Sequence, residues 1–280
     1  MRAVILGAGG MLGHDLVATA PEGITPISLA KAQLDITATP KLAAALRDAR
    51  PDIVINAAAF TGVDRAESER ELAFRVNSLA VGELGRWAMR SRVRLVHFST
   101  DYVFDGTASH SYAEDSPTNP VNVYGESKLA GEVALQESGA SFLIVRSQWL
   151  FGVNGRSFPK TMWDRATAGL PTRVVKDQTG RPTYTRDLAR ATWTLIVRGA
   201  AGILHVANQG QATWFDIASH LFCRAGKPDL LRPCRTEDYP TPARRPQYSV
   251  LDTRRAESLL GAPLPYYSAA LDDFVLRLTC

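Results

Sequence analysis

The sequence predicts an α/β fold, a Rossmann-type doubly wound parallel sheet followed by a smaller C-terminal part. Three features carry that expectation. Apolar runs of strand length alternate with helical stretches through the first half of the chain. The runs are near-continuously apolar, as strands covered on both faces are. The residues with chemical character follow those runs, where parallel sheets hold their ligands.

Residues 3–6, Ala-Val-Ile-Leu, read as a buried strand, and residues 7–13 as a glycine-rich turn. A helix over 12–19 is stopped by Pro21, and a second strand covers 24–29. Residues 41–49 are helical, 52–56 form a third strand, and 67–90 read as one long helix rich in Ala, Leu and Glu. A fourth strand over 94–98, a helix over 123–137 and a fifth strand over 142–146 complete the alternation. Beyond about residue 150 turn formers thicken in FGVNGRSFPK, DQTGRPTYT and RPCRTEDYPTPARRPQ, which predicts a loop-rich part. A helix over 187–197 and a strand over 202–207 are expected to pack back on the sheet.

Composition narrows the function. The chain has 280 residues, 45 % hydrophobic and 21 % charged, the balance of a globular protein with a sizeable core. No apolar run approaches the roughly 20 residues of a membrane span, and MRAVILGAGG does not read as a signal peptide. Cys223, Cys234 and Cys280 are too few and too loosely spaced for a disulfide framework or a zinc site, so a cytoplasmic location is expected. The net charge is +4, and the arginines are spread along the chain, which argues against a nucleic-acid face. The five His lack ligand spacing, and no metal site is expected.

The glycine cluster Gly7-Ala8-Gly9-Gly10-Met11-Leu12-Gly13 follows a strand and opens a helix. Glycines at 7, 10 and 13 allow a tight turn, approach of a pyrophosphate and close helix packing, with phosphates at the helix N-terminus. The end of the second strand lacks the acidic residue expected there; Lys31 could meet a ribose 2′-phosphate or be plain surface, and Asp35 comes later. Tyr124 and Lys128 lie four apart on one helix face, where an ammonium would lower the phenol's pKa. Phe98-Ser99-Thr100-Asp101-Tyr102 closes the fourth strand and offers a hydroxyl beside Tyr124.

A glycine turn, a Ser/Thr after the fourth strand and Tyr-x3-Lys resemble the extended short-chain dehydrogenases/reductases. The residues from Asn56 to Glu67, then STDYVFDG, NVYGESKLAGE, RSQWLFG, DQTGRPT and YPTPARRPQYSVLDT, closely resemble the dTDP-4-dehydrorhamnose reductase family within them, in order from residue 2 to about 262. The resemblance implies NADPH-dependent reduction of a dTDP-linked 4-keto-6-deoxysugar, dTDP-4-dehydro-6-deoxy-L-mannose, to dTDP-L-rhamnose, with NADH as an alternative donor. It implies that Thr100, Tyr124 and Lys128 are catalytic. Gly7, Gly10, Met11, Leu12, Gly13, Lys31, Asp35, Ile36, Ala58, Ala59, Phe60, Thr61, Phe98, Tyr124 and Lys128 would hold the cofactor. Thr100, Asp101, Tyr102, Tyr124 and Trp149 would meet the sugar.

On this reading residues 1–150, with 187–207 packing back on them, are the dinucleotide-binding domain, and 151–280 mainly bind substrate. Some family members form a metal-bridged dimer through acids on the first helix and after the Pro-Thr turn. Here those places hold Asp15 and Tyr184-Thr185-Arg186-Asp187, and Arg186 argues against a magnesium bridge, leaving a homodimer open. Two alternatives stand beside the reductase: a 4-ketoreductase for another nucleotide-deoxysugar, and a non-catalytic dinucleotide-binding regulatory subunit.

Overall fold

The computed structural model describes residues 1–279. The first half runs β1 (Arg2–Leu6), α1 (Met11–Ala18), β2 (Thr25–Leu29), α2 (Thr39–Ala49), β3 (Ile53–Asn56), α3 (Val63–Ser68), α4 (Arg70–Phe74), α5 (Ala80–Ser91), β4 (Arg94–Thr100), α6 (Val123–Glu137) and β5 (Phe142–Ser147). The rest runs β6 (Leu150–Phe151), α7 (Phe158–Thr167), β7 (Thr172–Val175), β8 (Thr179–Gly180), β9 (Thr183–Tyr184), α8 (Thr185–Val197), β10 (Gly202–His205), β11 (Ala212–Thr213), α9 (Trp214–Arg224), β12 (Leu231–Cys234), α10 (Arg254–Leu260) and α11 (Tyr267–Thr279).

Six strands make one sheet in the order β10-β5-β4-β3-β1-β2, every pair parallel. This is the doubly wound sheet that the apolar runs predict. Alternate strand residues serve opposite faces. Ala3, Ile5, Ile53, Ile55 and Val96 meet Leu12 and Leu16 of α1 and Leu188 and Trp193 of α8. Val4, Leu6, Val54 and Leu95 meet Leu42 and Leu46 of α2 and Val81 and Leu84 of α5. Each large side chain so buried contributes about 1.5–3 kcal/mol, which is why uninterrupted apolar runs form these strands.

A separate apolar cluster lies beyond the sheet. Phe151, Met162, Val174, Tyr184, Ile217, Leu221, Phe222, Leu271 and Phe274 pack together from β6, α7, β7, β9, α9 and α11. Sequence reading sees mainly turns there, because these strands are two to four residues long and turn formers separate them.

The helix expected over 67–90 is not continuous. It breaks at Glu69, whose backbone sits at φ −114°, ψ 41°, and a π turn at Arg75–Leu79 separates α4 from α5. Ala, Leu and Glu favour helix throughout, so composition hides the break. The wider turn is where α6 comes closest: a Cβ on Gly131 of α6 would meet the Asn77 carbonyl oxygen at 2.0 Å.

Among the described residues no helix is long and apolar enough to cross a membrane. Cys223 and Cys234 are free thiols; Cys280 lies outside the described residues.

Candidate active site

The strand order reverses between β1 and β3, and the loops after these strands touch there. Gly7 has φ +76°, and a Cβ on it would come within 2.7 Å of the Ala58 backbone nitrogen. A Cβ on Gly13 would meet the Gly7 carbonyl oxygen at 2.2 Å, so α1 packs directly on the turn. Gly10 caps α1 without a side-chain hydrogen bond, and the first intrahelical bond runs from His14 N to Gly10 O. The N–H groups of Met11, Leu12 and Gly13 therefore have no intrahelical acceptor, which suits an anion. Beside this turn a cavity of about 310 Å³ is lined by residues that include Ala8, Gly9, His14, Ser28, Ala30 and Gln33. A dinucleotide's phosphates fit the turn, since the backbone is bare where they must approach.

Thr100, Tyr124 and Lys128 come together at the carboxyl end of β4. Asn122 caps α6, its Oδ1 accepting from Gly125 N at 2.8 Å, and so fixes where Tyr124 leaves the helix. A Cβ on Gly125 would strike the Tyr102 carbonyl oxygen at 2.2 Å, so α6 lies tight against the segment after β4. Thr100 Oγ1 donates to Asp101 Oδ1 at 3.0 Å and accepts from Tyr102 N at 3.2 Å. The rings of Tyr102 and Tyr124 meet edge to face, centroids 5.6 Å apart.

The electrostatics depart from the sequence expectation. Tyr124 is not lowered by Lys128. Burial pushes its phenol up to about 12; the Thr100 hydroxyl beside it works the other way and Asp101 adds to the rise. The reason is where the ammonium points: Lys128 Nζ donates to Phe98 O at 2.6 Å and lies 3.3 Å from His97 Nε2. Lys128 itself is brought down to about 8 by burial, against the pull of Glu132. Asp101 is raised to about 7 by burial, with the Ser249 and Thr100 side chains beside it opposing.

The remaining predicted residues are spread around this centre. Ala58, Ala59 and Phe60 are half-buried and Thr61 is exposed in the loop after β3, and Phe60 shares a small apolar cluster with Tyr124. Lys31 is exposed just past β2. Asp35 accepts from the Thr37 backbone and hydroxyl at 2.9 and 2.8 Å, so its own turn engages one carboxylate oxygen. Ile36 is buried in the core beneath α2. Trp149 follows β5 with φ +50° and stacks on Trp214, centroids 3.7 Å apart. Asp15 accepts from Thr185 Oγ1 at 2.6 Å, which ties α1 to α8. Among the described residues no group of three His, Cys, Asp or Glu is placed to hold a metal.

Several contacts around the site escape sequence reading. Asn77 Oδ1 accepts from Phe60 N at 2.8 Å, while its Nδ2 reaches Phe60 O and Ser127 Oγ, both at 3.0 Å. It joins the loop after β3 to α6. Arg245 Nη2 pairs with Asp64 Oδ2 at 2.9 Å, and its guanidinium stands 6.0 Å from the Tyr102 ring. Only the N-cap pattern of Asn122 before a helix is legible locally; the other partners are far apart in sequence.

The family described as RmlD substrate binding domain matches the chain over residues 1–280. The dTDP-4-dehydrorhamnose reductase of Burkholderia thailandensis is 37 % identical over 288 residues, covering 97 % of each chain. A Streptomyces antibioticus protein named as a probable dTDP-4,6-dihydroxy-2-methyloxan-3-one 4-ketoreductase is 42 % identical, covering 98 % of this chain and 94 % of its own. The crystal structure of a Bacillus anthracis dTDP-4-dehydrorhamnose reductase in complex with NADP matches with a TM-score of 0.94 at 35 % identity, covering 99 % of both chains.

Proposed function

The chain belongs to the RmlD substrate binding domain family, and from that premise we propose that it reduces the 4-keto group of dTDP-4-dehydro-6-deoxy-L-mannose to dTDP-L-rhamnose with NADPH. The observation that carries the reading is the convergence of Thr100, Tyr124 and Lys128 at the end of β4, beside the bare glycine turn after β1.

When bound, the cofactor supplies the hydride that C4 of the sugar receives. Tyr124 supplies the proton. With its pKa at about 12 the phenol is fully protonated at neutral pH, the form an acid needs for reduction. The Thr100 hydroxyl donates to the reacting oxygen and exchanges its bond to Asp101 for that one. Lys128 holds the ribose side of the cofactor. Met11, Leu12 and Gly13 present backbone N–H groups to the pyrophosphate. Ala58, Ala59, Phe60 and Thr61 form the wall on the nicotinamide side, and Lys31 takes the 2′-phosphate.

Asp101, Tyr102 and Trp149 meet the sugar. Residues 1–150 with 187–207 serve the dinucleotide, and 151–280 mainly serve the nucleotide sugar. The reaction belongs in the cytoplasm, a location supported by the few, loosely spaced cysteines, of which Cys223 and Cys234 are free.

The test mixes the protein with NADPH, then NADH, and the 4-keto sugar nucleotide made by the preceding dehydratase, with and without the 3,5-epimerase. Cofactor oxidation only with the epimerase is the expected result. Equal oxidation without it identifies another deoxysugar as the substrate. Cofactor binding with no oxidation in either case removes the enzymatic reading.

A further inference from the structure

His97 is a polar ring where an apolar one would pack. It lies on β4 at 1 % exposure, and its register partner on β3 is Asn56, also at 1 %. His97 Nδ1 is 3.2 Å from Asn56 Nδ2, and His97 Nε2 is 3.3 Å from Lys128 Nζ. Asn56 Oδ1 accepts the backbone N–H of Ala58 at 3.2 Å. Lys128 Nζ also donates to Phe98 O at 2.6 Å, the residue next to His97. A line of hydrogen-bonding groups thus crosses two neighbouring strands, from the loop after β3 to the ε-amine of Lys128.

Polar groups in a sheet core are costly unless each is satisfied, and satisfied networks fix a single geometry. Here the neighbours in the same strands, Ile55 and Val96, are fully buried aliphatics. Two polar side chains therefore stand opposite each other in an apolar sheet, and both are spent on Lys128 and the Ala58 loop. Burial and the Lys128 charge keep His97 neutral, so its ring offers one N–H and one acceptor. With Nε2 as its acceptor towards the Lys128 ammonium, the neutral ring turns its Nδ1–H towards the Asn56 side-chain amide without adding charge to the core.

We propose that Asn56 and His97 are positioning residues that hold the ε-amine of Lys128 in place and link it to the Ala58 loop. The inference rests on the reading of Lys128 as the residue that holds the cofactor ribose. Without the His97 ring the ammonium keeps only the Phe98 carbonyl, and the flexible lysine stem gains freedom to turn away. Misplacement of this kind costs rate through geometry rather than through loss of a reacting group.

The test compares His97→Leu and His97→Gln with the wild type. The leucine removes both ring nitrogens; the glutamine keeps an amide that can reach Lys128. The expected result is a kcat lower by about 10- to 100-fold in His97→Leu with a weakened NADPH dissociation constant, and recovery of most of both in His97→Gln. Wild-type kcat and NADPH affinity in a folded His97→Leu overturn the proposal. If His97→Leu does not fold, ¹⁵N spectra of the histidine rings decide. The His97 signals should move in Lys128→Met, and unmoved signals overturn the proposal. Failure of the parent reading has a different signature: Lys128→Met then binds NADPH and turns over like the wild type, while the His97 signals still respond to the change at 128.

Discussion

Thr100 donates its hydroxyl to Asp101 Oδ1 at 3.0 Å, and both side chains are buried at the end of β4. The other carboxylate oxygen, Oδ2, is buried without a protein partner. Burial raises Asp101 to about 7, well above an unfolded aspartate. The folded protein therefore holds a proton that the unfolded chain releases, and stability falls as pH rises from about 4 towards 7. The full shift corresponds to about 4 kcal/mol at 1.36 kcal/mol per unit. Asp101→Asn removes this dependence. Thermal melts at pH 5 and pH 8 should show the wild type losing more between the two than the variant does. Identical losses would mean that Asp101 is ionised in the fold throughout.

Tyr124→Phe removes the proton donor while leaving a ring to pack against Phe60 and Tyr102. Turnover should fall by about 10²- to 10⁴-fold, the usual value of a positioned acid, with NADPH binding retained. Lys128, at about 8, sets a second limit: its ammonium is lost as pH rises through that value, and kcat/KM for reduction should fall with it. A flat profile from pH 7 to 9.5 would remove Lys128 from the chemistry.

The sheet is legible in the sequence because β1, β3, β4 and β5 are apolar on both faces, so their runs stand out from any turn. Gly7 and Gly13 are legible because sterics leave no other residue there. The sequence misleads over Tyr124, where spacing places Lys128 on the same helix face but cannot say that Phe98 O and His97 claim its ammonium. It hides the break at Glu69, since its helix formers carry no stop signal. Asn77 and Trp214 are invisible for another reason. Each acts through partners 17 to 65 residues away, Phe60 and Ser127 for one and Trp149 for the other, and no local pattern records such distances.

Lys31 stands exposed past β2, close to the cavity that Ser28, Ala30 and Gln33 line beside the glycine turn. Its Coulombic pull on Asp35 is one of the smaller causes that lower that carboxylate. An exposed charge contact is worth up to about 1 kcal/mol, so Lys31→Ala should raise KM for NADPH by up to about fivefold and leave KM for NADH unchanged. The effect should shrink in high salt. Equal changes for both cofactors would show that Lys31 does not meet the 2′-phosphate.

Trp149 holds a left-handed backbone, φ +50°, that a bulky residue rarely adopts unless its surroundings enforce it. Two neighbours do so. Trp214 stacks on its ring at 3.7 Å and 11°, and Gly180 leaves room beneath, since a Cβ there would come within 2.6 Å of Trp149 Cε2. Trp214 is anchored in turn, its Nε1 donating to Gln178 Oε1 at 3.0 Å, and Gln178 Nε2 reaches Thr236 Oγ1 at 3.0 Å. A stacked pair of this kind is worth about 0.5–1.5 kcal/mol beyond its buried area. If Trp149 meets the sugar, Trp214→Ala should raise KM for the sugar nucleotide by about three- to tenfold, with a smaller change in kcat. Neither Trp149 nor Trp214 is among the residues that pack against Gly7, Gly10 or Gly13, so NADPH affinity should not move. Gly180→Ala should reproduce the same split by displacing the ring from the other side. A rise in NADPH KM, or no change in the sugar nucleotide KM in both variants, would place Trp149 in the packing of the second core rather than at the substrate.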